Sequence, residues 1–151
     1  MIRFLLSITI SILFSGIVWA ATEQPLANCF QSVKTMGRAN NVFTEECRKS
    51  IEYYKKAIEI NPDSTEDYIR LSKSLGFALK FEEALSYNDK AIAISPNDWT
   101  PHHDKAMNLV ALKRYDEAQI EFKKSLEVLK ANEGNVEDIT YVKQLIKRYS
   151  R

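Results

Sequence analysis

Apolar residues recur along this chain at helical spacing, and the pattern restarts at regular intervals. Ile51, Tyr54, Ala57 and Ile58 form one stripe, Ala84, Leu85, Ala91 and Ile92 a second, and Ala118, Phe122, Leu126 and Leu129 a third. Near the end, Val136, Ile139, Val142, Leu145, Ile146 and Tyr149 form a fourth, with Lys143, Lys147 and Arg148 off the stripe. Together with the punctuation between them, these stripes predict helices near 28–38, 45–60, 65–79, 82–94, 99–112, 116–130 and 136–149. Pro62 and Pro96 stop helical patterns that cannot run through a missing amide hydrogen. Asp63 or Ser64, and later Asp98, can cap the helix that follows, and Pro101 falls in a first turn, where its ring is tolerated. Acidic pairs (Glu45-Glu46, Glu82-Glu83, Asp116-Glu117) stand in first turns with lysines later, matching the helix dipole. No segment alternates in the manner of a strand. The expected fold class is all-α, with connections of about two to five residues forcing antiparallel neighbours.

The stripes are copies of one unit. YYKKAIEINP at 53–62 recurs as YNDKAIAISP at 87–96 and as EFKKSLEVLK at 121–130, each 34 residues after the last. A fixed period of that length signals stacked helical hairpins. In 65–98 the informative positions are Tyr68, Leu71, Ser72, Leu75, Phe81, Ala84, Ala91 and Pro96. In 99–132 they are Ala106, Leu109, Leu112, Tyr115, Ala118, Phe122 and Ser125. These closely resemble the tetratricopeptide repeat family, over about 100 residues. The resemblance implies an α-solenoid of about three hairpins: a degenerate repeat over 31–64 that keeps Tyr54, Ala57 and Pro62, a second over 65–98, a third over 99–132, and a capping helix over 135–150. Small Ala84, Ala91 and Ala118 would let helix backbones approach, while Phe81, Tyr115 and Phe122 fill the space between hairpins. Departures are Lys105 in place of a leucine, Lys130 in place of the proline and Asn88 in place of an aromatic. Lys105 is expected to lay its methylenes on the core and lift its ammonium to water.

In that family the first helix of each pair lines a concave groove that receives a peptide or another helix. Carried onto this chain, the groove candidates are Ile69, Arg70, Lys73 and Phe77, then His103, Asp104, Met107 and Val110. A basic spot at Arg70 and Lys73 beside Phe77, Met107 and Val110 suits a segment with apolar anchors and a carboxylate. One subset of the family grips two carboxylates through Lys, Asn, Asn, Lys and Arg. This chain has Thr35, Ala39, Arg70, Thr100 and Asp104 at those places, so that clamp is absent.

The start of the chain bears on location. Met1 to Arg3 precede an uncharged run from Phe4 to Trp19 and then Val18-Trp19-Ala20-Ala21, the pattern of a secretory signal peptide (1–20) cut after Ala20. The alternative is an uncleaved membrane anchor; both readings put the remainder outside the cytoplasm, periplasmic or secreted. The cysteine of Leu26-Ala27-Asn28-Cys29 is too far from the apolar run, and too poorly preceded, for a lipoprotein box. It lies in a short N-terminal segment (21–30). In an oxidising compartment Cys29 and Cys47 are expected to bridge, which requires the stretch before Gln31 to fold back toward the start of the next helix.

Charge and motif content narrow the function. The whole chain has 21 basic and 20 acidic residues, a balance that lacks the field to hold a phosphate backbone, so no nucleic acid partner is expected. His102-His103-Asp104 is the single cluster resembling a metal or acid–base site. Adjacent helical residues diverge by about 100° and do not converge on an ion, so a solvated pair in a first turn is the expectation. There is no glycine-rich phosphate loop and no Gly-x-Ser-x-Gly turn. No catalytic residue, metal, cofactor or small-molecule substrate is expected. The favoured function is an exported, non-catalytic scaffold that binds a protein or peptide segment and supports assembly of a larger complex. The alternative is a self-associating structural subunit of an envelope complex.

Overall fold

The structure, a computed structural model, describes residues 25–30 and 45–150. The signal segment 1–20 and most of the degenerate first repeat's opening lie outside the described residues. All regular structure among those described is helical. The short helix α1 covers 25–30, followed by α2 (Glu45–Ile60), α3 (Thr65–Phe77), α4 (Phe81–Ile94), α5 (Trp99–Ala111), α6 (Tyr115–Ala131) and α7 (Val136–Tyr149). From α2 onward each helix packs on its neighbours in the chain, and α3 also meets α5. That is an α-solenoid of helical hairpins, with the first helices of successive pairs side by side.

Local chemistry explains the boundaries. Ser64 caps α3 by accepting from the Asp67 amide, Asp98 caps α5 by accepting from the Thr100 amide, and Asn135 caps α7 by accepting from the Asp138 amide. Ser64 and Asp98 are 34 residues apart. Helices α3 and α5 end alike: Lys80 N–H donates to Leu75 O and Arg114 N–H to Leu109 O, both at 2.9 Å. These six-to-one bonds place Leu79 (φ 60°) and Lys113 (φ 62°), again 34 apart, in the left-handed region. The period slips at α6, which runs 17 residues against 14 for α4. The next cap therefore falls on Asn135 rather than Asn132.

The core follows the predicted stripes. Ile51, Tyr54, Leu71, Leu75 and Ala84 form one buried cluster. Leu85, Ala106, Leu109, Ala118, Phe122, Leu129, Val142 and Leu145 form another, which α7 closes. Ala84, Ala91 and Ala118 are fully buried at the crossings, where a larger side chain would cost about 1–3 kcal/mol through overpacking. Tyr149 lies nearly parallel to both Phe122 and Tyr115, with ring centroids 6.1 and 6.3 Å away.

Two departures from the repeat pattern acquire a structural reason. Asn88, fully buried, accepts at Oδ1 from Ser72 Oγ (2.8 Å) and Asn108 Nδ2 (3.0 Å), so it ties α3, α4 and α5 together where an aromatic would only fill space. Gly76 leaves room for that link, since a Cβ there would stand 2.9 Å from Asn108 Oδ1. Lys105 directs its ammonium to carboxylates at the edge of the core. Its Nζ lies 2.7 Å from Asp89 and 3.4 Å from Glu121, because hiding a charge in this partly covered site requires carboxylate partners.

Candidate protein-binding groove

The residues proposed for the groove divide by helix. On α3, Arg70 and Lys73 project one turn apart, with Phe77 a further turn along. The Arg70 side chain is 14% exposed and its guanidinium reaches Glu66 at 2.7 Å. It also lies beside Tyr54, whose phenol burial pushes up in pKa while Arg70 pulls the other way. Lys73 Nζ stands 3.4 Å from Asp104 Oδ2 on α5, an ion pair that joins the two first helices. Phe77 meets Phe30 of α1, ring centroids 5.3 Å apart.

Between α1 and α3 lies a cleft of about 360 Å³, walled by Leu26, Ala27 and Phe30 on one side and Glu66, Arg70, Lys73 and Phe77 on the other. Sequence reasoning missed the α1 wall because Leu26 and Phe30 precede the repeats. Its signal was the apolar spacing of Leu26, Cys29 and Phe30, one helical turn apart. A disulfide fixes this wall. Cys29 and Cys47 form a disulfide with Cα atoms 4.4 Å apart, both fully buried, and Leu26 packs against the Ile51–Tyr54–Leu71 cluster.

Two α5 candidates and one from α3 fall elsewhere. Ile69 is 3% exposed, packed with Tyr68 and Ala91, so it belongs to the core and presents no groove surface. Val110 is half-buried against the main cluster, while Met107 is exposed. His103 sits among Trp99, Phe122 and Tyr141, with centroids 5.7, 6.1 and 5.6 Å away, and its Nδ1 lies 3.2 Å from Asp104 Oδ1.

The histidine pair is not a solvated one. His102 is buried and its Nδ1 meets Glu121 Oε2 at 2.8 Å, on the side of α5 that faces α6. Burial alone would raise the Glu121 carboxyl. The His102 hydrogen bond, that of Lys124 and the charge of Lys105 outweigh it and hold the group at about 2. Burial works against the Lys105 ammonium too, yet Asp89 and Glu121 raise it above its usual value. His102 and His103 thus serve different neighbours. Among the described residues no three His, Cys, Asp or Glu side chains stand together as metal ligands would, and no helix is long and apolar enough to cross a membrane.

Comparison with known proteins agrees with this architecture. The sequence model of the tetratricopeptide repeat family matches residues 48–64, the second half of the degenerate first repeat. The TPR2B domain of yeast Sti1, solved as a pHsp70 complex, superposes with a TM-score of 0.65 at 19% identity, covering 85% of this chain and 94% of that one. This chain has the tetratricopeptide-repeat fold. The tetratricopeptide domain of Arabidopsis OM64 is similar at a TM-score of 0.61 and 17% identity, over 86% of this chain and 97% of its own. The first such domain of human RPAP3 gives 0.56 and 15%, over 85% and 96%. No curated protein matches in sequence. Of the five clamp positions, Thr35 and Ala39 lie outside the described residues; Arg70, Thr100 and Asp104 hold one cation, and it is engaged within the chain.

Proposed function

We propose that the chain is an exported, non-catalytic scaffold that receives a protein or peptide segment on its α3–α5 face and so helps assemble a larger complex. The observation that carries this reading is the α3–α5 face itself. The two first helices lie in contact, and Phe77 and Met107 remain partly uncovered on them. The tetratricopeptide fold is in general a protein-interaction scaffold, and the similar Sti1 domain is a pHsp70 complex, which supports a protein as the kind of partner. The charged start, apolar run and small residues of the first twenty positions support export, and a buried disulfide suits an oxidising compartment.

Replacing Lys73, Phe77 and Met107 together with alanine should abolish pull-down of the native partner while moving the melting temperature by only a few degrees. Retained pull-down would remove this face from the account. Intact mass of the protein recovered from the envelope should correspond to a chain beginning at Ala21; a chain retaining Met1 would point to the anchor.

A further inference from the structure

The cations of the cleft are already spoken for. Arg70 is bonded to Glu66 and Lys73 is paired with Asp104, so two positive and two negative groups cancel within the chain. A partner carboxylate approaching Arg70 would meet Glu66 first, since Glu66 is 62% exposed and Arg70 only 14%. To bind, it would displace an existing carboxylate and gain only the difference between two similar pairs. What the cleft does leave unsatisfied is apolar. Phe30 is 50% exposed although its ring touches Phe77, and Leu26 lines the same wall. The volume of about 360 Å³ is at the small end for a binding cavity and suits one or two side chains of a larger ligand.

The α1 wall has three attachments on one helical face. Leu26 packs on the core, Cys29 is bridged to Cys47 in the first turn of α2, and Phe30 rests on Phe77. The bridge and Phe30 are adjacent in sequence, so the disulfide sets where the ring stands. Both sulfurs are fully buried, which makes the bridge a permanent strut rather than a reagent.

Resting on the proposed function, we infer that the cleft selects an uncharged apolar or aromatic side chain of the partner segment, with Phe30 and Phe77 as its gripping surfaces. The Cys29–Cys47 bridge is a positioning element for that specificity. A partner carboxylate, which the basic spot on α3 suggests at first sight, is not what the cleft reads.

Selection of a random peptide library on the oxidised mature chain tests this. Enriched peptides should carry an aromatic or large aliphatic residue without an acidic bias, and their affinity should change little with salt. Phe30→Ala should weaken them by about tenfold or more, and Phe30→Tyr should restore most of the loss. Cys29→Ser with Cys47→Ser should weaken them similarly, with far-UV circular dichroism showing that the α2–α7 stack is retained. Acidic consensus peptides, strong salt dependence or indifference to Phe30 would overturn the inference while leaving the α3–α5 face in use. If no enriched peptide depends on Phe77 or Met107, the proposed function itself fails. A sedimentation experiment showing dimers that Phe30→Ala abolishes would assign the cleft to a second copy of the chain, against the inference.

Discussion

The α3–α4 and α5–α6 hairpins occupy the same register and fill it with different chemistry. Tyr68 and Tyr87 face each other in the first, ring centroids 6.3 Å apart, with Lys90 Nζ lying over both rings at 5.9 and 5.0 Å. Thirty-four residues later the same three positions hold His102, Glu121 and Lys124. There the imidazole meets the carboxylate at 2.8 Å and the ammonium meets it at 3.0 Å. Leu71, fully buried in the first hairpin, corresponds to Lys105, which adds its own charge to Glu121 in the second. An aromatic pair with a cation over it has become a carboxylate ringed by an imidazole and two cations. The difference teaches that the hairpin geometry demands mutual satisfaction at this contact and not a particular residue type. Leu71→Lys made alone would strand a charge in the first hairpin.

The comparison breaks most readily at Glu121. Glu121→Ala leaves His102 and Lys105 facing a vacated site and should cost about 3 kcal/mol by urea unfolding, since removing one partner of a buried pair uncovers the other. A cost below about 1 kcal/mol would mean the network is solvated. Acid attacks the same contact. The folded-state value of Glu121 is about 2, below its ordinary 4.5, so its stabilisation is complete above 4.5 and is lost as the pH falls toward 2. That loss should be on the order of 1–2 kcal/mol once solvent screening is allowed for, and exchange protection should fall in α5–α6 before α3–α4, whose matching contact holds no carboxylate. Simultaneous loss in both hairpins would contradict the contrast.

A gentler test addresses the aromatic side. A double-mutant cycle on Tyr68→Leu and Tyr87→Leu should give a coupling of about 1 kcal/mol, with little dependence on acid. The smallest effect concerns the turns that the hairpins share. Lys113 is exposed and left-handed at φ 62°, so Lys113→Gly should raise stability by about 0.5–1 kcal/mol through relief of Cβ crowding. A loss of stability would show that its side chain contributes a contact.

Much of this was legible in the chain. The period of 34 placed α2 to α7 within a few residues, because proline stops, polar caps and apolar stripes agreed with one another at every boundary. The slip after α6 was legible as well: Gly134 and Asn135, the latter three residues beyond where the period would put the cap, mark the stop and the start of α7. Among the groove residues, side-chain direction follows from helix register for Arg70, Lys73 and Phe77, which share one cleft. Pattern transfer failed where burial depends on neighbouring helices. Ile69 is covered by its own hairpin. Outside the groove set, His102, expected to be solvated, is drawn toward α6 by Glu121, and no spacing rule within α5 reveals a partner nineteen residues away. The α1 wall was hidden for another reason, since its placement depends on a covalent bridge and not on periodicity.

The proposal that a partner docks on the face built by α3 and α5 can be tested by site-specific photocrosslinking in the cells that make the protein. A photoreactive residue at Met107, exposed on α5, is compared with one at Ile120, exposed on α6. Crosslinks to a protein partner from Met107 that vanish with Phe77→Ala, and none from Ile120, are the predicted result. Equal capture from both positions, or capture from Ile120 alone, would contradict it.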